Sequence, residues 1–138
     1  MNSPVFHCSF PVKDLESTRA FYGDLLGCVS GRTEADRIDF NFFGHHIVAQ
    51  VSAEEAAHRS VGVGPEPYPL RHFGVLLTRA QFQQLAEKLQ AANVPWVIPP
   101  ETRHAGTVRE QFTMFALDPS GNGVEFKSLP DPANVFKA

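Results

Sequence analysis

Cysteine is scarce in this chain, and the two present, Cys8 and Cys28, form neither a Cys-x-x-Cys pair nor a disulfide framework. Each stands among apolar neighbours, where a buried thiol is the plain expectation and no functional signal arises. Runs of Lys and Arg are missing too, and the formal net charge is −3. Affinity for nucleic acid comes from clustered cations that neutralise phosphates, so no nucleic-acid partner is expected. No stretch approaches the roughly 20 apolar residues that cross a bilayer. Met1-Asn2-Ser3-Pro4 lacks the basic start and apolar run of an export signal, which makes the cytoplasm the expected compartment, with no membrane partner. What remains is 138 residues, 43% hydrophobic and 20% charged, enough for one domain with a real core that stands alone or as a homodimer.

Hydrophobic periodicity divides the chain into two similar halves. In the first, Phe6 to Val12 alternates, with Phe6, Cys8, Phe10 and Val12 on one face and His7, Ser9 and Pro11 on the other, as a strand requires. Asp14 can cap a helix through Leu26 with Leu15, Phe21, Tyr22 and Leu25 on one stripe, and Gly27 ends it. A weaker strand near Cys28 to Arg32 precedes two clearer ones, Ile38 to Phe43 and His46 to Val51, which turn around Phe43-Gly44. The order is β-α-β-β-β.

A Gly/Pro-rich stretch, Val61 to Pro69, acts as a linker or covering loop, and the same order then returns. His72 to Leu77 reads as a strand, and Thr78-Arg79-Ala80-Gln81 as a capping box. Phe82, Leu85, Leu89 and Ala92 recur at helical spacing until Asn93 and Pro95 stop the helix. Trp96 to Ile98, Phe112 to Leu117 and Gly123 to Lys127 complete three strands, the last two joined by the turn Asp118-Pro119-Ser120-Gly121-Asn122.

The first strands start at His7 and His72 and the helices near Leu15 and Thr78, so strand and helix repeat together as an internal duplication. The expected fold is α+β: two paired βαβββ modules whose mixed sheets enclose a cleft, because one helix covers only one face of a four-stranded sheet. The boundaries are module 1 at about 4–52, a linking loop at 53–70, module 2 at about 71–128 and a tail at 129–138, all within one domain.

Packing each first strand under its own helix turns His7 with Ser9, and His72 with Gly74, toward the cleft. On the closing strand the same parity selects Glu125, between Val124 and Phe126. A lone strand histidine is more often a hydrogen-bonded core residue than a ligand. An unpaired carboxylate in that strand would cost several kcal/mol, however, and a cation is its natural partner. Two imidazoles and a carboxylate with open positions form the facial set of Fe(II) oxygenases, which also takes Mn, Co, Ni or Zn. The expected cofactor is therefore one divalent ion on His7, His72 and Glu125, with Fe2+ or Mn2+ favoured and an open position that can take substrate directly.

Other residues qualify less sharply. Gln50 is read as the counterpart of Glu125 and a weak fourth ligand or substrate contact, and a purely structural role fits it as well. His46 shares its parity and could move a proton to or from substrate, although a hydrated hairpin histidine is the plainer reading. Glu125 is the second candidate for catalysis. The loop Pro99 to Gln111 holds Arg103, His104, Arg109 and Glu110 beside Gly106 and could form a lid. Either arginine could hold an anionic substrate group through its planar fork, but solvated loop charges are commoner. His45, His58 and His104 fall in or beside loops and should be solvated. Phe40, Phe42, Phe112, Met114 and Phe115 are core by pattern and would also make pocket walls apolar. The tail from Asp131, with Phe136, either covers the cleft or frays.

Phe6-His7 through Val12, Asp14-Leu15-Glu16 through Phe21-Tyr22, Leu25-Leu26-Gly27, His72-Phe73-Gly74-Val75, and Leu117-Asp118-Pro119-Ser120-Gly121-Asn122 through Glu125-Phe126-Lys127 together resemble the vicinal oxygen chelate superfamily. It includes glyoxalase I, extradiol ring-cleaving dioxygenases, fosfomycin resistance proteins and bleomycin-binding proteins. The resemblance spans nearly the whole chain and implies a metal on His7, His72 and Glu125 that binds adjacent oxygens of a small-molecule substrate. Those three match the His-His-Glu set of the dioxygenase branch, so a dioxygenase-like reaction leads. A glyoxalase-like lyase or isomerase with four protein ligands, Gln50 among them, is the alternative. A binding module that holds an aromatic or antibiotic ligand without metal is the third reading.

Overall fold

The computed structural model describes residues 3–58, 62 and 68–137. By internal contacts the chain divides between residues 59 and 60 into two compact units, with the turn 119–122 grouped with the first. No helix among the described residues is long and apolar enough to cross a membrane.

In the first unit, strand β1 (His7–Val12) alternates as its sequence requires: Phe10 and Val12 are buried, His7 and Ser9 exposed. Asp14 then caps helix α1 (Leu15–Thr18), its Oδ1 accepting from the Ser17 amide and hydroxyl at 2.7 Å each. Those two bonds favour the charged carboxylate and hold its pKa below the ordinary value. The expected single helix changes character after Thr18, and Arg19–Leu25 is π-wound, the Leu26 amide donating to Phe21 O at 2.9 Å. In this winding the adjacent Phe21 and Tyr22 are both buried. Gly27 ends the segment at φ 76°, where a β-carbon would be strained.

Strands β2 (Val29–Glu34), β3 (Arg37–Phe42) and β4 (His45–Val51) follow as an antiparallel run, and β4 returns parallel to β1, so the sheet order is β1-β4-β3-β2. Phe43 and Gly44 both have positive φ, the turn that suits the twist of a tight hairpin. Val12, Tyr22, Ile38, Phe40, Ile47 and Ala49 form the core, and full burial of each large member contributes about 2 kcal/mol.

The second unit repeats the plan. Strand β5 (His72–Leu76) leads to Thr78, which caps α3 (Arg79–Ala91) through the expected reciprocal box: its Oγ1 accepts from the Gln81 amide at 3.2 Å while its own amide donates to Gln81 Oε1 at 2.9 Å. Phe82, Leu85, Ala86 and Leu89 face inward, and Asn93 closes the helix at φ 54°. Strands β6 (Trp96–Arg103), β7 (Gln111–Leu117) and β8 (Gly123–Ser128) give the order β5-β8-β7-β6, again with one parallel pair.

Three expectations need correction. The linking loop at 53–70 begins with a helix, α2 (Ala53–Ala57), capped by Ser52 Oγ accepting from the Glu55 amide at 3.3 Å. Ser52-Ala53-Glu54-Glu55 has the spacing of a helix start and was legible as one. The Val61 to Pro69 linker lies outside the described residues except for Gly62, Tyr68 and Pro69. Strand β6 does not stop at Ile98 but continues to Arg103 through Pro99-Pro100, because β6 is an edge strand interrupted by register shifts, where a missing N–H costs little. The loop expected at Pro99 to Gln111 therefore shrinks to residues 104–110, with His104 and Gly106 at positive φ. The tail forms a short 3₁₀ turn (Pro132–Phe136) in which Phe136 is 92% exposed.

Candidate functional site

In the second unit β5 and β8 run parallel with His72 opposite Gly123 and Gly74 opposite Glu125, which puts His72 and Glu125 on one face. Pro69 O lies 2.7 Å from His72 Nδ1. A carbonyl only accepts, so Nδ1 bears the hydrogen, and in the neutral ring Nε2 then offers its lone pair. That nitrogen stands 3.8 Å from Glu125 Oε1. Beneath the imidazole lies the fully buried Phe115, ring centroids 4.7 Å apart. Gly123 makes room for this ring, since a β-carbon there would stand 2.6 Å from Phe115 Cε1. Gly74 is required more severely, because its β-carbon would fall 1.6 Å from the Glu125 carbonyl oxygen.

Glu125 is not the isolated acid that its strand position suggested. Lys127 Nζ lies 3.7 Å from Oε1, and Thr113 Oγ1 donates to Oε2 at 3.5 Å. The energetic demand for a cation is thus partly met by Lys127, two residues along the same strand face. The orientation of the His72 imidazole, more than an orphaned charge on Glu125, is what suits a metal here.

The first unit builds a different set on the same frame. His7 is opposite His46 on β4, and the two rings, near parallel with centroids 4.8 Å apart, meet with their Nδ1 atoms 2.9 Å apart. His46 Nε2 in turn lies 2.9 Å from Oδ2 of the buried Asp39, which Arg32 approaches at 3.9 Å. Beside this chain lies a cavity of about 510 Å³ whose lining includes Val5, Val29, Phe40, Asn41, Asp39 and His46. Asp39 escaped the sequence reading. Its signal was the run Ile38-Asp39-Phe40, a carboxylate inside an apolar strand like Val124-Glu125-Phe126.

Strand register corrects the reading of Gln50. Since Ser9 pairs with Val48 and Gly74 with Glu125, the counterpart of Glu125 is the buried Val48, and Gln50 matches Lys127. The positive-φ glycines of the two hairpins, Gly44 and Gly121, confirm the count, because a parallel strand is measured from its turn. Gln50 Oε1 accepts from Ser9 Oγ at 2.9 Å. His46 has both ring nitrogens engaged, Nδ1 with His7 and Nε2 with Asp39.

Of the arginines, Arg103 lies in β6 and pairs with Glu101, while Arg109 is exposed in the 104–110 turn. His45 is in β4 rather than a loop, accepting from the Phe6 amide at 3.1 Å. Phe40, Phe42, Met114 and Phe115 are buried as expected, and Phe112 is half-buried. Burial raises both thiols, Cys28 to about 11 against a weaker opposing bond from Phe43, in keeping with inert cysteines. Among the described residues no group of three or more His, Cys, Asp or Glu side chains stands together as a metal-holding set; the second unit does bring His72 and Glu125 together. Their chemistry fits a divalent ion. A ligating imidazole characteristically donates its second N–H to a carbonyl or carboxylate, as His72 does to Pro69.

The chain is similar to known proteins in sequence and in fold. Residues 5–126 match the model of the Glyoxalase/Bleomycin resistance protein/Dioxygenase superfamily. The structure resembles a glyoxalase/bleomycin resistance protein/dioxygenase from Alicyclobacillus acidocaldarius, 32% identical over 96% of each chain with a TM-score of 0.79. It also resembles genomically encoded fosfomycin resistance protein from Listeria monocytogenes, at 16% identity, 97% and 98% coverage and a TM-score of 0.72. The fosfomycin resistance protein of Mesorhizobium loti matches at 13% identity, 98% and 99% coverage and a TM-score of 0.67. Both show likeness of fold alone. No curated protein matches the sequence significantly.

Proposed function

Because the chain belongs to the Glyoxalase/Bleomycin resistance protein/Dioxygenase superfamily, we propose that it is a metal-dependent, dioxygenase-like enzyme that holds one divalent ion on His7, His72 and Glu125. The observation that supports this best is the bond from His72 Nδ1 to Pro69 O, which leaves Nε2 directed at Glu125 Oε1 as a ligand would be. His7 comes from a first module and the other two from a second, in the same chain or in a second copy.

Val48 in the carboxylate position and Gln50 bonded to Ser9 favour three protein ligands over four. Three ligands leave open positions, which suits Fe2+ or Mn2+ and a dioxygenase-like reaction better than a four-ligand lyase or isomerase. A divalent ion in this set supplies Lewis acidity to two adjacent oxygens of a small substrate. The chain's own residues then have distinct tasks. Glu125 and the imidazoles bind, Phe115 keeps water from the inner face of His72, and Lys127 adds positive charge beside the acid. Arg103 and Arg109 are the candidate cations for an anionic substrate group.

The test is the metal content of the full chain purified without chelators, beside His72→Ala. About one equivalent is expected in the parent and a background level in the variant; unchanged content in His72→Ala overturns the ligand set. Oxygen uptake by Fe2+-loaded protein with catechol as a probe supports the dioxygenase-like reaction. Anaerobic turnover with Ni2+ or Zn2+ transfers the reading to a lyase or isomerase, and a parent without metal transfers it to a small-ligand binding protein.

A further inference from the structure

We infer that Asp39 and His46 act as positioning residues that preset the tautomer of His7, leaving its Nε2 lone pair outward for a cation. This rests on the metal reading above but can be tested without metal. The Asp39 carboxylate, its side chain 11% exposed, can only accept, so His46 Nε2 must donate across their 2.9 Å contact. A neutral imidazole has one N–H, and His46 Nδ1 is therefore an acceptor. The 2.9 Å contact between the two Nδ1 atoms is then a bond donated by His7. His7 Nδ1 holds the hydrogen and Nε2 the lone pair.

The second unit reaches the same tautomer at His72 in one step, through Pro69 O. The first unit takes two steps, with His46 standing where the second has Gly123, and Asp39 where it has Phe115. Both frames thus present an imidazole with Nδ1 engaged from behind, although no residue of the two supporting sets is shared. The two rings lie within 24° of parallel and meet through their Nδ1 edges, which fixes ring orientation as well as proton position. Neither Asp39 nor His46 is asked to touch the ion or the substrate.

The experiment is two-bond ¹⁵N–¹H correlation on the metal-free, ¹⁵N-labelled full chain at mildly alkaline pH. His7 and His72 should both show the Nδ1–H form. Asp39→Asn replaces an obligate acceptor with an amide that can also donate to His46 Nε2, so the His7 hydrogen is no longer confined to Nδ1 and an Nε2–H form should appear. His72 should stay unchanged, which also reports that the variant is folded. Calorimetric titration with Zn2+ alone should show affinity falling about 10- to 100-fold in Asp39→Asn. His46→Phe, which keeps an aromatic ring without the relay, should lose the single His7 tautomer and weaken Zn2+ binding similarly. His7 in the Nε2–H form in the parent, or unmoved in both variants, overturns the inference. If the tautomers behave as stated and the parent takes up no Zn2+, the relay stands and the metal reading fails.

Discussion

The two modules share one backbone plan and have exchanged most of the side chains that matter. Under His7 lies another imidazole, His46; under His72 lies the phenyl ring of Phe115. Ser9 occupies the position of Gly74, Val48 that of Glu125, and Gln50 that of Lys127. A side-chain relay thus supports His7, whereas a backbone carbonyl and apolar packing support His72, while the only carboxylate in the closing-strand position belongs to the second module. Duplication supplies two equivalent frames, and the frame tolerates different contents because strand register, not side-chain identity, sets where each residue faces.

That contrast can be broken most forcefully at Phe115. Its ring fills the space that Gly123 leaves, so Phe115→Ala should cost about 4 kcal/mol in chemical denaturation. A loss below about 1.5 kcal/mol would mean that packing does not support His72 as described. Next, Gly74→Ser writes the first module's residue into the second, where the β-carbon meets the Glu125 carbonyl. It should cost about 3 kcal/mol, whereas the reciprocal Ser9→Gly should cost less than about 1 kcal/mol. Equal effects would show that the two sheets are interchangeable at this position.

A smaller difference is expected between the helix caps. Thr78→Ala removes the box from the 13-residue α3 and should cost about 1 kcal/mol in thermal or urea unfolding. Ser52→Ala should be milder, because α2 buries none of its residues and its fraying is uncoupled from the core. The least effect concerns Cys28, whose thiol burial pushes from 9.0 up to about 11. Between those values the unfolded chain has released the proton and the folded chain retains it, so stability falls as pH rises; below 9.0 the contribution is fully present. In urea midpoints measured across that window, Cys28→Ala should decline less steeply than the parent. Parallel slopes would show that Cys28 is more accessible than its burial implies.

Period-two alternation made the facing of His7, His72 and Glu125 readable before any coordinates, and the capping box at Thr78 was readable from four residues. Helix and strand order, the duplication and the family resemblance follow from such local patterns, because backbone hydrogen bonding gives each element a fixed period that apolar residues must match. The exception was not local: the edge position that lets β6 run through Pro99-Pro100 is a property of sheet order, which periodicity does not encode.

Partnerships across strands were another matter. Gln50 looked like the match of Glu125 until register assigned that place to Val48, and Glu125 looked isolated until Lys127 and Thr113 were seen beside it. Asp39, His46 and His7 are separated along the chain but joined by two contacts of 2.9 Å. Linear order specifies which face of a strand a residue takes. Which neighbour it meets there depends on turn length, register and packing, all of which arise only when the strands are laid side by side.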